Sequence, residues 1–195
     1  MTPHFSPGAS PQPRPPVYIS AINPYNCQVA GEVCDGLALH SLTSAEYLKE
    51  VILPNVSTGA ARSRRSVKDV TLSGGGFVVT GPDLETIEAR RLAVKQRIAF
   101  YASTRTYMPI MEIHGFQGIS HRHHKMSLTG QWERMGSLVG DEMLDAFAIV
   151  GGYDEVAWRL KERFGNLLDE VVFNMEVSSP TDEAALRGII KVLQS

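Results

Sequence analysis

Short apolar, β-branched runs alternate along the chain with longer stretches whose apolar residues recur at helical spacing. Residues 17–22, VYISAI, are typical of a strand that is buried on both faces. Asn23 and Pro24 then fit the N-cap and the first turn of a helix. An Asp-Gly turn separates this helix from LALH, residues 37–40, which predicts a second buried strand. This order predicts a βαβ unit with two parallel strands.

The same alternation continues toward the end of the chain. Ser44 can cap a helix from Ala45 to about Gly59, which Pro54 should kink or interrupt. Residues 70–81, VTLSGGGFVVTG, predict a third strand that carries three consecutive glycines. The remaining predicted elements are a helix over 82–102, extra helices including one around 121–140, a helix over 154–165, a fourth strand over 170–177 and an amphipathic helix over 181–195.

The predicted fold class is α/β, built from parallel β/α units. Residues 1–16 are rich in proline and predict an extended lead-in. A single β/α domain follows over 17–195, with a helical insertion at about 104–150 between the last two strands. Four strands are too few to close an eight-stranded barrel, yet several small or polar residues could face inward and suit a barrel mouth. These inward candidates are Ser20, Gly74, Gly76 and Asn174.

Charge and composition narrow the classes of partner. Nineteen basic and 21 acidic residues give a net charge of −2 and a pI near 6.3, which does not support a nucleic-acid or acidic-membrane partner. The sequence has no apolar run of the roughly 18 residues that span a bilayer, and its first 16 residues do not have the layout of a secretion signal. Cys27 and Cys34 match neither a CxxC pair nor a zinc knuckle, so we expect reduced thiols in a cytoplasmic protein.

Three segments resemble the luciferase-like monooxygenase superfamily. Residues 15–40, PPVYISAINPYNCQVAGEVCDGLALH, are similar to its fifth strand, fifth helix and sixth strand. Residues 77–116, FVVTGPDLETIEARRLAVKQRIAFYASTRTYMPIMEIHGF, resemble the seventh strand and the following helix of the deazaflavin-dependent branch. Residues 141–177 resemble the segment that leads into the closing helix and the eighth strand. The resemblance covers the chain from Pro15 onward.

The resemblance implies the C-terminal half, strands five to eight, of a TIM-type (β/α)8 barrel in a truncated form. It implies an oxidoreductase that transfers a hydride between coenzyme F420 and a small organic substrate such as an alcohol or aldehyde, with FMN as the alternative cofactor. The isolated chain is then expected to be a poor catalyst, because half of the positioning groups are missing. The alternative is a non-catalytic half-barrel that acts as an interaction module or binds flavins or anions weakly. Open edges at 17–22 and 170–177 should pair with a second copy, with a separate N-terminal half-barrel chain, or with nothing productive.

Candidate cofactor-binding residues follow from the same resemblance. In the family, the loops after strands five and six hold the phosphate and ribityl tail of the coenzyme. By this resemblance, the residues at the phosphate are Ser20, Ala21, Ile22 and Asn23, and His40 and Ser41 lie close by. Free backbone amides at a helix start make an anion site, which agrees with this placement. His40 is also a weak catalytic candidate, because a neutral imidazole can bind or shuttle a proton. The structural alternatives are ordinary helix capping by Asn23 and a hydrogen-bonded rim histidine at position 40.

Other polar clusters have simpler explanations. The basic patch of Arg62, Arg64, Arg65 and Lys68 predicts a solvated loop. The histidines at 121, 123 and 124 have no carboxylate at a matching offset and no HExxH pattern, so we expect surface histidines and no metal site. Three glycines at 74–76 more often mark a bulge than a ligand site. No Ser-His-Asp arrangement can be placed from the sequence alone.

Overall fold

The computed structural model describes residues 12–195. The part of the predicted lead-in before residue 12 lies outside the described residues. The strands are β1 (Tyr18–Ser20), β2 (Gly36–Ala38), β3 (Thr71–Gly74), β4 (Phe77–Val79), β5 (Ala148–Val150) and β6 (Glu170–Val171). The helices are α1 (Pro24–Val33), α2 (Ala45–Tyr47), α3 (Leu53–Arg62), α4 (Leu84–Ala102), α5 (Met108–Ile113), α6 (Gln117–Leu128), α7 (Trp132–Met135), α8 (Asp141–Phe147), α9 (Val156–Phe164) and α10 (Pro180–Leu193). Within residues 12–195, no helix combines the length and the apolar character needed to span a membrane.

Two parallel sheets confirm the predicted α/β class. The first sheet has the strand order β1-β2-β3-β6, and the second consists of β4 and β5. The predicted βαβ unit is confirmed, because β1 and β2 flank α1 and pair in parallel. Strands β1 and β6 form the two edges of the four-stranded sheet, where the sequence predicted open edges.

One face of the four-stranded sheet is buried, and the other is partly exposed. Ile19, Leu37 and Leu72 share one register row and pack into the core. The opposite face, which we call the open face, carries exposed or half-buried residues: Tyr18, Ser20, Ala38, Thr71 and Ser73. Side chains alternate along a strand, so Ser20 points to the open face whereas Gly74 shares the core-facing side of Leu72. Ser20 and Gly74, which were both predicted to face inward, therefore lie on opposite faces of the sheet.

The predicted third strand over 70–81 is wrong, because the structure divides it into β3 and β4, which lie in different sheets. The break falls at Gly75 and Gly76, and Gly76 has a φ of 77°, which favours glycine. A Cβ on Gly76 would lie 3.3 Å from the carbonyl oxygen of Phe147. The glycine triplet therefore redirects the chain between the sheets.

The later strands also differ from the prediction. The fourth predicted strand, over 170–177, is a strand only at Glu170–Val171, with one further backbone hydrogen bond from the Val172 amide to Gly74. Strand β5 lies at the end of the segment for which only helices were predicted, and it pairs with β4. Its three residues continue directly from α8, so a short apolar run there could not be told from a buried helical segment.

At the predicted kink or interruption, the helix changes its type just before Pro54. Residues Leu48–Ile52 form a π-helical turn between α2 and α3, and the Leu53 amide donates to the carbonyl oxygen of Leu48. The wide turn lets Pro54 occupy the first turn of α3, where its missing N–H costs nothing. The helical run therefore continues to Arg62, beyond the predicted end at Gly59.

The N-terminus of α10 is held by one carboxylate. Asp182 is buried and accepts hydrogen bonds from the backbone amides of Ser178 (3.0 Å) and Ser179 (2.9 Å), from both of their hydroxyls and from the Tyr153 hydroxyl. The bonds from Tyr153 and then Ser179 hold the pKa of Asp182 well below its ordinary value of 3.8. This network ties α10 to the loop that precedes α9.

Acid should therefore weaken the fold through Asp182. A carboxyl with a lowered folded-state pKa contributes stability above its unfolded-state pKa, and that contribution is lost as the pH falls below about 4. Melting temperatures measured from neutral pH down to acid should fall for the wild-type chain. D182N should have a lower melting temperature than the wild type at neutral pH. Its melting temperature should also fall less as the pH is lowered. Parallel curves for the two proteins would contradict a role for this carboxylate.

Candidate functional site

The carboxyl ends of β1 and β2 lie side by side, because the strands are parallel neighbours with Ser20 opposite Ala38. The residues that follow β1 run to Asn23, and those that follow β2 include His40 and Ser41. The structure therefore brings the two predicted loops to one edge of the sheet. Reactive and binding groups in parallel β/α folds gather at this edge.

Tyr47 joins the two loops. Its side chain is fully buried, and its hydroxyl donates to the carbonyl oxygen of Ile22 at 3.1 Å. Its backbone amide donates to the Ser44 hydroxyl at 3.1 Å, which confirms Ser44 as the predicted N-cap. Burial raises the pKa of Tyr47 to about 12, so the hydroxyl stays protonated and remains a donor. No pattern in the sequence points to Tyr47 as part of the site.

In the β1 loop, only some of the predicted residues present polar side chains. Ser20 is exposed, Ala21 is buried, and Ile22 and Asn23 are half-buried. Asn23 occupies the N-cap position of α1, with its carbonyl oxygen accepting from the Cys27 amide at 3.1 Å. Its side chain, however, makes no capping hydrogen bond. Helix capping therefore accounts for the backbone of Asn23 and leaves its amide group available to a ligand.

His40 is a neutral histidine with one committed nitrogen. Its Nδ1 accepts the backbone N–H of Leu42 at 3.1 Å, so the ring proton resides on Nε2. The ring lies edge-on to Tyr101 at 4.4 Å between centroids and is tilted against Tyr107 at 4.9 Å. Burial, together with the positive charge of Arg97, lowers the pKa of His40. At neutral pH the free Nε2–H group can donate a hydrogen bond.

The turn after β2 adds a polar atom that the sequence analysis missed. The Thr43 amide donates to the carbonyl oxygen of His40 at 2.8 Å and closes the turn. The Thr43 hydroxyl is buried and has no hydrogen-bond partner among the described residues. Unpaired buried hydroxyls are uncommon and call for an explanation. Together with the amide of Asn23, this hydroxyl makes the donor set of the two loops suitable for a phosphate oxygen.

Ser44 and His114 form a contact that resembles part of a hydrolase site. The Nε2 atom of His114 lies 2.8 Å from the Ser44 hydroxyl, and a Glu46 carboxylate oxygen lies 3.9 Å from that same nitrogen. A catalytic triad needs the acid on the other ring nitrogen and an accessible serine. Ser44 is fully buried, so this contact is structural.

The histidines of α6 are bound to backbone carbonyls. His121 contacts the carbonyl oxygen of Gln117, His124 that of Ser103, and His123 that of Met135. The expectation of three surface histidines is wrong for His123, which is fully buried against α7. In the part of the chain that the structure describes, no group of three metal-ligating side chains is found.

The comparisons with known proteins agree on one family. The profile of the family described as luciferase-like monooxygenase matches residues 1–170. An uncharacterized protein of Mycobacterium tuberculosis is 39% identical over 188 residues, which cover 96% of this chain and 55% of that protein. The 5,10-methylenetetrahydromethanopterin reductase of Methanolobus tindarius is 28% identical over 171 residues, 85% of this chain and 48% of the enzyme. The chain spans about half the length of the curated relatives it matches.

Two solved structures share the fold. The coenzyme F420-dependent tetrahydromethanopterin reductase of Methanopyrus kandleri superposes with a TM-score of 0.68 at 20% identity, covering 87% of this chain and 48% of the enzyme. An F420-dependent secondary alcohol dehydrogenase in complex with an F420-acetone adduct gives a TM-score of 0.60 at 18% identity, covering 95% of this chain and 51% of the other.

Proposed function

The chain belongs to the luciferase-like monooxygenase family, and from that premise we propose that it binds coenzyme F420 at the carboxyl ends of β1 and β2. It would serve as part of an oxidoreductase that acts on a small organic substrate such as an alcohol or aldehyde. The related reductase and the two solved structures are named for F420 or for a pterin reduction, which supports F420 over FMN. The geometry that carries the proposal is the pair of uncommitted polar groups, Asn23 and Thr43, on adjacent strand ends.

The coenzyme, when bound, supplies a deazaflavin ring that accepts or releases a hydride. The chain's own residues hold and orient it. Asn23 and Ser20 would donate to the phosphate oxygens, and Thr43 would donate its hydroxyl proton from the neighbouring turn. Tyr47 fixes the separation of the two loops through the carbonyl oxygen of Ile22. His40 would donate its Nε2–H to an oxygen at the strand edge and remain neutral at pH 7.

A fluorescence titration of the purified chain with F420, run beside FMN, tests this proposal. Saturable F420 binding is expected, and N23A should weaken it by about tenfold, the loss of one charge-assisted hydrogen bond. The melting temperature should hardly change, because the Asn23 side chain makes no capping bond. N26A, three residues further along α1, is the matched control and should bind as the wild type does.

Other outcomes of the titration overturn parts of the proposal. Tighter binding of FMN than of F420 would reject the coenzyme, and equal affinities of N23A and the wild type would reject the β1 loop as the anchor. Binding of neither coenzyme would favour the second candidate function, a non-catalytic module that associates through its sheet. The open face and the β1 edge, where Val17 and Tyr18 are exposed, favour that candidate. Light scattering on the same sample would then show a dimer.

A further inference from the structure

A second binding site is suggested by a cavity of about 220 Å³ between α4 and the segment that follows β6. Strand β4 and Thr80 contribute its floor, α4 contributes one wall, and residues 174–176 contribute the other. Its lining includes no residue of the loops after β1 and β2. Arg97 nevertheless lies near those loops, because it lines the cavity and its positive charge lowers the pKa of His40.

Two arginines project into this cavity from one face of α4. Arg90 is fixed, because its Nη1 donates to the carbonyl oxygen of Thr80 at 2.5 Å and its Nη2 lies 3.8 Å from Glu176. Arg97 lies over the Phe77 ring, 5.3 Å from its centroid, and no carboxylate of residues 12–195 pairs with it. The cavity thus holds one arginine that is already paired and one that is free for an anion.

The floor of the cavity carries an unsatisfied hydroxyl. Thr80 is only 2% exposed, and its Oγ1 has no hydrogen-bond partner among the described residues. A buried hydroxyl without a partner is unfavourable, and a ligand oxygen would satisfy it. Asn174 lies on the opposite wall and offers a further amide group. The site therefore combines a guanidinium with neutral donors.

Charge and polarity select the class of ligand. Arg90, Arg97 and Glu176 leave one net positive charge on the lining, which matches a single negative charge. Val78, Val94 and Met175 supply apolar surface around these groups. We propose that the cavity binds the carboxylate of a small organic acid with an apolar body, with Arg97 pairing to the carboxylate and Thr80 donating to it. Its lining residues differ from the proposed coenzyme-binding residues, and its test needs no coenzyme.

Calorimetric titration of the full chain with sodium hexanoate, without any coenzyme, tests the site. Hexan-1-ol and inorganic phosphate serve as the comparison ligands. Hexanoate should bind saturably and at least about tenfold more tightly than hexanol, because the charge-assisted bonds are lost in the alcohol. Phosphate should bind more weakly than hexanoate, because it lacks an apolar body and brings more negative charge than the lining balances.

Two variants separate ligand binding from folding. R97M should weaken hexanoate binding by about tenfold, and T80V should do the same. T80V should keep or raise the melting temperature, because it removes an unpaired hydroxyl at nearly constant volume. R64M removes an exposed arginine that lines no part of the cavity and should bind as the wild type does.

The proposal fails if hexanoate shows no saturable binding. It also fails if hexanol binds as tightly as hexanoate, because the cavity would then bind ligands only through its apolar surface. It also fails if phosphate binds more tightly than hexanoate, or if R97M and T80V bind as the wild type does. Since no coenzyme is present, these outcomes leave the F420 proposal untouched.

Discussion

Replacing Gly59 with alanine should lower the free energy of unfolding by about 3 kcal/mol or more, at the upper end of overpacking effects. The added Cβ would lie 1.9 Å from the carbonyl oxygen of Gln28, and the carbonyl carbon and Cα of Gln28 would also be under 3 Å away. All three are backbone atoms of α1, so no side chain can move aside. Helices α1 and α3 would have to separate, and the melting temperature should fall by roughly 6–12 °C.

Gly188 provides the control for this prediction. It lies inside α10, and a Cβ there would meet no atom within 4 Å. G188A should therefore stabilise the chain by up to about 1 kcal/mol through helix propensity. G31A tests the same helix contact from the other side, since its Cβ would lie 2.1 Å from the carbonyl oxygen of Val56. An unchanged melting temperature for both G59A and G31A would refute the close approach of the helices.

Replacing Arg65 with methionine should cost about 2 kcal/mol, because three backbone carbonyls lose a charged donor. The guanidinium of Arg65 donates to the carbonyl oxygens of Gly31 (3.1 Å) and Cys34 (2.7 Å) at the end of α1, and to that of Asp69 (2.8 Å). Methionine keeps much of the apolar stem and removes only the donors. Chemical denaturation followed by circular dichroism measures the loss.

The neighbouring Arg64 is the matched control. It is exposed, and no hydrogen bond or ion pair is formed by its side chain within the described residues. R64M should change the free energy of unfolding by less than about 0.5 kcal/mol. Equal effects of R64M and R65M would show that only the net charge of the patch matters.

The hydrogen bonds in the structure divide the basic patch. The prediction of a solvated loop holds for Arg64, which is exposed, and is wrong for Arg65, which binds the carbonyl oxygens at the end of α1.

Part of the candidate site was accessible from the sequence. Local patterns placed Ser20 and His40 toward the carboxyl ends of two predicted parallel strands, with Asn23 and Ser41 just after them. The assignment of these residues to the coenzyme came from the resemblance to the family. The contacts that complete the site involve residues far apart in the chain: Tyr47 with Ile22, Arg97 near His40, and Tyr101 against His40. No spacing in the sequence predicts such contacts.

The sequence by itself determined the parallel α/β class, the βαβ unit, the Ser44 cap and the family, because propensity, capping and periodicity act over a few residues. Only the tertiary structure decided how the glycines act: Gly59 looks like a helix end but allows two helices to touch, and Gly76 looks like a strand residue but turns the chain into a second sheet. It also decided that β5 is a strand, since its partner β4 lies some 70 residues earlier. The residues packed against a position decide whether it requires glycine, and the neighbouring strand decides whether a short apolar run forms a strand. Only the folded chain brings those neighbours together.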